Sequence, residues 1–214
     1  MDKTNKIIFY EEITNAITHG IGFVLSIVAL IFLIKTAVAY GDVWYIVSFS
    51  IYGASSIILY LASTLYHSVP KGKVKDAFKI FDHSAIYVLI AGSYTPIALL
   101  VLKGKTGLIL LIAVWTIALF GIVFKLFFSK RFKILSTIIY LLMGWLVIFL
   151  IKPLIANLNF TSMSFLIAGG VTYSLGTIFY LWKNLKFNHA IWHLFVLGGS
   201  VCHFFSVYFL TLNC

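Results

Sequence analysis

Charge is scarce in this 214-residue chain: Asp and Glu number 6, Lys and Arg 16, and together they make up 10% of the residues. A soluble domain carries about a quarter charged residues to keep its surface wet. A chain so poor in charge, 62% hydrophobic and with a mean hydropathy of +1.05, is built for lipid. Long polar stretches are missing too, which excludes a folded unit outside the bilayer. The sequence therefore predicts one membrane domain over residues 1–214, with 1–15 as a short cytoplasmic leader. Cysteine is nearly absent: Cys202, inside an apolar run, and Cys214, at the end, form neither a zinc knuckle nor a disulfide framework. No internal repeat supports an inverted-repeat transporter. The net charge of +10 would suit nucleic acid only if the basic residues lined one face. They sit instead in short clusters between apolar runs, which excludes a nucleic-acid partner and points to membrane topology.

What fills the chain is a series of apolar runs. A membrane-spanning helix needs about 20 predominantly apolar residues. Dividing the sequence at its charged and turn-forming clusters predicts seven spans, 16–39, 43–67, 81–102, 106–128, 134–152, 161–182 and 190–212, the fifth cut short by Lys152-Pro153. The fold class is an all-α integral membrane protein, a bundle of seven transmembrane helices. The run from Ile21 to Ile34 ends near Ala37-Val38-Ala39, which resembles a signal-peptidase site. Its length and the acidic leader with Glu11 and Glu12 predict an uncleaved signal anchor instead. Short connections, such as Tyr40 to Asp42, Lys103 to Lys105 and the basic Ser68 to Lys79 segment, make consecutive helices antiparallel neighbours. Glycines inside the spans, among them Gly92, Gly121, Gly144, Gly169 and Gly199, predict close helix packing. With the N-terminus in the cytoplasm, all but Lys35, Lys103, Lys105 and Lys152 of the 16 basic residues fall on the inner side. That bias predicts a cytoplasmic N-terminus and an outward Cys214.

The chemistry resides in the histidines: His19, His67, His83, His189, His193 and His203. All except His203 lie where a predicted span meets its cytoplasmic end. His67 ends the second span, Asp82 and His83 open the third, and His189 and His193 open the seventh, so chain reversal returns these ends to one membrane face. His189 and His193 are spaced i,i+4, which puts their Cβ atoms about 5–6 Å apart on one helix face, able to share an ion. His67 is the natural third ligand, because three neutral imidazoles and one open position make a catalytic zinc site. Asp82, the only acidic residue placed inside a predicted span, suits an orienting or proton-accepting role, and Ser63 lies one helical turn from His67 on the same face. His203 follows His193 by about 15 Å of helix, too far to join the same ion. Each residue has a plainer reading: an interfacial His is often simply hydrogen-bonded, Asp82 could cap the third helix or pair with Lys79, and Ser63 could bond back to its own helix. Convergence on one face favours the metal site.

Several segments carry a resemblance: Glu11-Glu12-Ile13-Thr14-Asn15-Ala16-Ile17-Thr18-His19-Gly20, Ser63-Thr64-Leu65-Tyr66-His67, Phe81-Asp82-His83-Ser84-Ala85-Ile86-Tyr87 and His189-Ala190-Ile191-Trp192-His193. Over nearly the whole chain they resemble the bacterial hemolysin III branch of the progestin and adipoQ receptor family. The resemblance implies a bacterial plasma-membrane protein of seven helices with a cytoplasmic N-terminus. It also implies zinc bound by one histidine of a Ser-x-x-x-His motif and two of a His-x-x-x-His motif, here His67, His189 and His193. In that pattern Asp82 holds the water and Ser63 stands beside it. Glu12 and His19 match the motif at the start of the first helix, a place from which they could support the site. The likeness extends to alkaline ceramidases, so it implies a zinc-dependent hydrolase whose partner is a membrane lipid with an amide or ester bond. The hemolysin name implies pore formation or lysis instead, and a third expectation makes zinc a structural clamp in a sensor of membrane state.

Overall fold

In hydrocarbon every backbone N–H and C=O must find its partner within the protein, which leaves helix as the economical conformation for an apolar chain. The computed structural model describes residues 3–128 and 132–213. Lys130 and Arg131 of the basic inner-side set, and Cys214 with its expected outward placement, lie outside the described residues. The helices are α1 (Lys3–Tyr40), α2 (Val43–Ser68), α3 (Lys73–Pro96), α4 (Gly104–Phe128), α5 (Lys133–Gly144), α6 (Ile151–Asn157), α7 (Phe160–Leu181) and α8 (Asn188–Tyr208). A π-helical turn, Ile97–Leu102, extends α3, and a 3-10 turn, Leu146–Leu150, joins α5 to α6. Seven segments are long and apolar enough to cross a membrane: Lys6–Tyr40, Val43–Ser68, Lys73–Leu102, Gly104–Phe128, Lys133–Asn157, Phe160–Leu181 and Asn188–Thr211.

Three expected boundaries are corrected. α1 is already helical from Lys3, within the expected 1–15 leader, rather than from residue 16, and it runs for 38 residues. At 1.5 Å per residue that is about 57 Å, well beyond the ~30 Å hydrocarbon core, so α1 tilts or stands proud of it. α3 begins at Lys73 rather than 81. Lys, Asp and Glu interrupt an apolar run without interrupting a helix, so hydropathy marked where lipid contact starts and not where the helix does. Asp82 is thus more than two turns inside α3 and cannot cap it, and it shares the helical setting with Glu11 and Glu12 of α1 and Asp76 of α3. The fifth span is not truncated at Lys152-Pro153, since Pro153 falls in the first turn of α6, where its missing N–H costs nothing. The break comes earlier, at Trp145. There the Tyr94 hydroxyl donates to the Gly144 carbonyl at 2.7 Å and accepts from the Val147 amide at 3.0 Å, so the interrupted backbone stays satisfied.

α1 packs on α2 and α8, α2 on α3, α3 on α4, and α7 on α8. One core, with Phe49, Leu59, Tyr60, Ala85 and Val196, joins α2, α3 and α8. A second, with Tyr87, Tyr94, Val114 and Met143, joins α3, α4 and α5. Close approach uses small residues: a β-carbon on Gly92 would collide with Ser55, and one on Gly121 with the Tyr87 ring. Gly144 is the exception among the expected packing glycines, with nothing near its missing side chain. The periphery is apolar, as lipid contact requires, with Phe127 76% and Phe149 85% exposed.

Candidate metal centre

His67 sits at the last turn of α2, and His189 and His193 occupy the first turns of α8. Because α2 and α8 present these ends on one side of the bundle, the three imidazoles converge. One donor atom from each lies within 4.8 Å of the others, the group of metal-capable side chains that the described residues bring together. Ring centroids are 5.1 Å apart for His67 and His189, 5.0 Å for His67 and His193, and 4.6 Å for His189 and His193. His67 and His193 are buried. Nε2 of His67 and Nε2 of His189 are enclosed without a hydrogen-bond partner. A buried nitrogen left unpaired costs about 1–3 kcal/mol, a penalty that metal coordination removes. An all-imidazole donor set of this spacing fits zinc, and it fits copper, nickel or iron by the same chemistry.

α1 surrounds the cluster with Glu12 and His19, as their motif implied, and adds Glu11 and Asn15, to which the sequence reading gave no role. Oε2 of Glu12 lies 3.0 Å from Nδ1 of His67, and Nζ of Lys75 reaches the same oxygen at 2.7 Å. Nδ2 of Asn15 is 3.4 Å from His67 Nδ1, while the Asn15 carbonyl is 3.4 Å from His193 Nδ1. The His189 amide donates to Oε1 of Glu11 at 3.3 Å. His19 lies stacked on His193, and neither of its ring nitrogens has a hydrogen-bond partner. Glu12 and His19 stand where their motif at the start of the first helix implied support for the site, and Asn15, on the same helix face, joins them.

The other predicted site residues divide. Ser63 is fully buried, one turn before His67, and its Oγ makes no hydrogen bond, so it does not bond back to its own helix. Asp82 is buried, and its Oδ2 lies 3.8 Å from Nδ1 of His83. It makes no hydrogen bond to His67, His189 or His193 among the described residues. His83 in turn holds the Lys79 carbonyl through Nδ1 at 2.6 Å, approaches the Tyr180 hydroxyl through Nε2 at 3.4 Å, and its carbonyl accepts from Tyr140 at 2.8 Å. His203 stays apart, its ring edge-on to Tyr173 at 5.2 Å and against Gly169.

Beside the cluster lies a cavity of about 170 Å³. Its wall is mainly apolar, from Leu89, Ile90, Ile148, Leu166, Trp192 and Val196, and it also includes His19, Tyr180 and His203. Tyr180 is 5.8 Å from the His189 ring, centroid to centroid. The space runs between α3, the α5–α6 span, α7 and α8.

The chain is a seven-span membrane protein with three imidazoles gathered at one end of its helix bundle. Residues 8–204 match the family described as Haemolysin-III related, and the chain belongs to that family. It is 61% identical over 199 residues to the Hemolysin-3 homolog of Bacillus subtilis (strain 168), covering 93% of each chain. To Hemolysin-3 of Bacillus cereus it is 56% identical over 202 residues, 94% of this chain and 92% of that one. The human Monocyte to macrophage differentiation factor, a distant relative in the progestin and adipoQ receptor family, is 29% identical over 206 residues, 93% of this chain and 84% of that one. No solved structure matches the chain. The seven spans and the Bacillus relatives make it a multi-pass bacterial membrane protein.

Proposed function

We propose that the protein is a zinc-dependent hydrolase acting on an amide or ester bond of a membrane lipid. The observation that carries this reading is an apolar cavity whose wall includes His19 and Tyr180, the first stacked on His193 and the second 5.8 Å from the His189 ring, so that a polar donor set and an apolar space are one side chain apart. His67, His189 and His193 would hold the ion. Zinc held by three imidazoles supplies Lewis acidity toward a carbonyl and lowers the pKa of water. The remaining work falls to this chain's own groups. The cavity walls, Trp192 and Tyr180 among them, bind the acyl chain and exclude bulk water from the cleavage point. Ser63 Oγ, buried and without a partner one turn before His67, would hydrogen-bond a polar atom of the bound substrate. Asp82 takes the proton released during attack and passes it toward the leaving group. Asp82 neighbours His83, whose Nε2 approaches the Tyr180 hydroxyl at 3.4 Å, and Tyr180 lies beside His189.

The relatives named Hemolysin-3 favour a second reading, lysis through a pore. The packed interior argues against a channel within one copy, since Phe49, Tyr87 and Val114 are each 0% exposed. The deciding experiment purifies the protein, measures bound metals, and follows products after incubation with a total bacterial lipid extract, with the His67→Ala variant as control. Metal-dependent appearance of free acyl chains supports hydrolysis; ion leakage from sealed vesicles without lipid turnover supports the second reading.

A further inference from the structure

The face of α1 that touches the histidines has no part in the chemistry above, yet its contacts with them are specific. Glu12, Asn15 and His19 are separated by three and four residues, so a helix places them on one face. Two ligand rings are gripped at Nδ1: that of His67 by the Glu12 carboxylate at 3.0 Å, that of His193 by the Asn15 carbonyl at 3.4 Å. A ring nitrogen engaged in this way fixes tautomer and rotation and commits the other nitrogen, Nε2, to an ion. His19 acts through its faces and not its nitrogens. Its ring centroid is 3.5 Å from that of His193 with the planes within 10°, and the Tyr60 ring meets it edge-on at 5.1 Å.

That stack decides whether His19 is a fourth ligand. An imidazole lone pair lies in the ring plane, so an ion bound by His193 lies in the His193 plane, about 2.0–2.1 Å from its nitrogen. The His19 plane runs nearly parallel to it with the centroids 3.5 Å apart. An ion in the one plane therefore stands over or beside the other ring and outside the direction of its lone pairs.

We propose that Glu12, Asn15 and His19 form a clamp on α1 that fixes the ring planes of His67 and His193, with His19 positioning His193 by stacking and not ligating, which leaves the fourth side of the bound metal open. The clamp rests on the metal reading given above, and the experiment separates the two. Purified protein and its His19→Ala, His19→Phe and Glu12→Ala variants are titrated with zinc against a chelator, and with cobalt to record the visible d–d spectrum. His19→Phe preserves a flat ring without nitrogens, so it should keep both the zinc dissociation constant and the cobalt spectrum. His19→Ala and Glu12→Ala should weaken zinc about 10–100-fold, the usual cost of losing an outer partner of a ligand. A His19→Phe protein that loses zinc or changes its cobalt spectrum as a His67→Ala protein does would make His19 a ligand and overturn the clamp. Wild-type affinity in both His19→Ala and Glu12→Ala overturns it as well, while leaving the metal reading intact. A wild-type protein that takes up neither metal ends both.

Discussion

Nζ of Lys75 lies 2.7 Å from Oε2 of Glu12, an ion pair that ties α3 to α1 across the end of α2. The same ammonium donates to the carbonyls of Tyr66 at 2.9 Å and Val69 at 3.2 Å, which are left without helical partners where α2 stops. Replacing Lys75 with Met keeps the chain length and removes all three bonds. The expected loss is about 1–3 kcal/mol, or a fall of several degrees in Tm at ~2–4 °C per kcal/mol for a chain of this size. Thermal unfolding in detergent measures it, and an unchanged Tm would mean that the junction does not depend on this residue. Zinc content at saturating metal should be unaffected, because Glu12 still reaches His67.

The ligand set predicts a sharp contrast among histidines. His67→Ala, His189→Ala and His193→Ala should each remove most bound zinc, since two imidazoles hold the ion far more weakly than three. His203→Ala should keep it, because that ring packs on Tyr173 away from the cluster. Metal analysis after gel filtration in detergent provides the test. Equal retention in all four variants would remove the assignment.

Orientation follows from the distribution of Lys and Arg. The turn at residues 69–72 should face the cytoplasm and the turn at Lys103 the outside, because all but four of the 16 basic residues then lie inside. Single cysteines introduced at Lys71 and Lys103, in a background lacking Cys202 and Cys214, can be labelled in intact cells with a membrane-impermeant maleimide. Labelling should occur at position 103 only; labelling at 71 alone would invert the assignment.

Much of this architecture was legible in the sequence because lipid enforces it. The number of spans follows from apolar runs that only helices can satisfy in hydrocarbon. His189 and His193 were readable as a pair because i,i+4 spacing is a local property of a helix. His67 could be added because chain reversal returns alternate helix ends to one face. What stayed hidden was non-local or masked by polarity. Hydropathy cannot locate the start of α1 or α3, since Lys6, Glu11, Glu12, Lys73 and Asp76 are compatible with helix outside the lipid. The interruption at Trp145 depends on the Tyr94 hydroxyl, fifty residues away from the carbonyl it bonds. The stacking of His19 on His193 joins α1 to α8, a contact that no spacing rule within one helix predicts.

Asp82 separates a catalytic centre from a structural one. The residue is 7% exposed, and its Oδ2 lies 3.8 Å from Nδ1 of His83. A charge at that depth is costly unless it is paired or has work to do. If the carboxylate receives a proton during hydrolysis, Asp82→Asn keeps the side-chain shape and the bound zinc, yet turnover falls by about 10²–10⁴-fold, because an amide cannot accept that proton. His83→Gln then makes a useful partner. It removes the imidazole beside Asp82 but leaves the carboxylate, so it should lower stability while retaining much of the turnover. If Asp82 serves only to pair with His83, both variants should destabilise the bundle to a similar extent and leave lipid turnover in proportion to folded protein. Zinc content, Tm and released acyl chains measured on the same two preparations distinguish these outcomes. An Asp82→Asn protein with its zinc and full turnover would refute proton transfer by this residue, and the centre would then have to find its base elsewhere, Glu12 being a carboxylate that meets a candidate ligand ring directly.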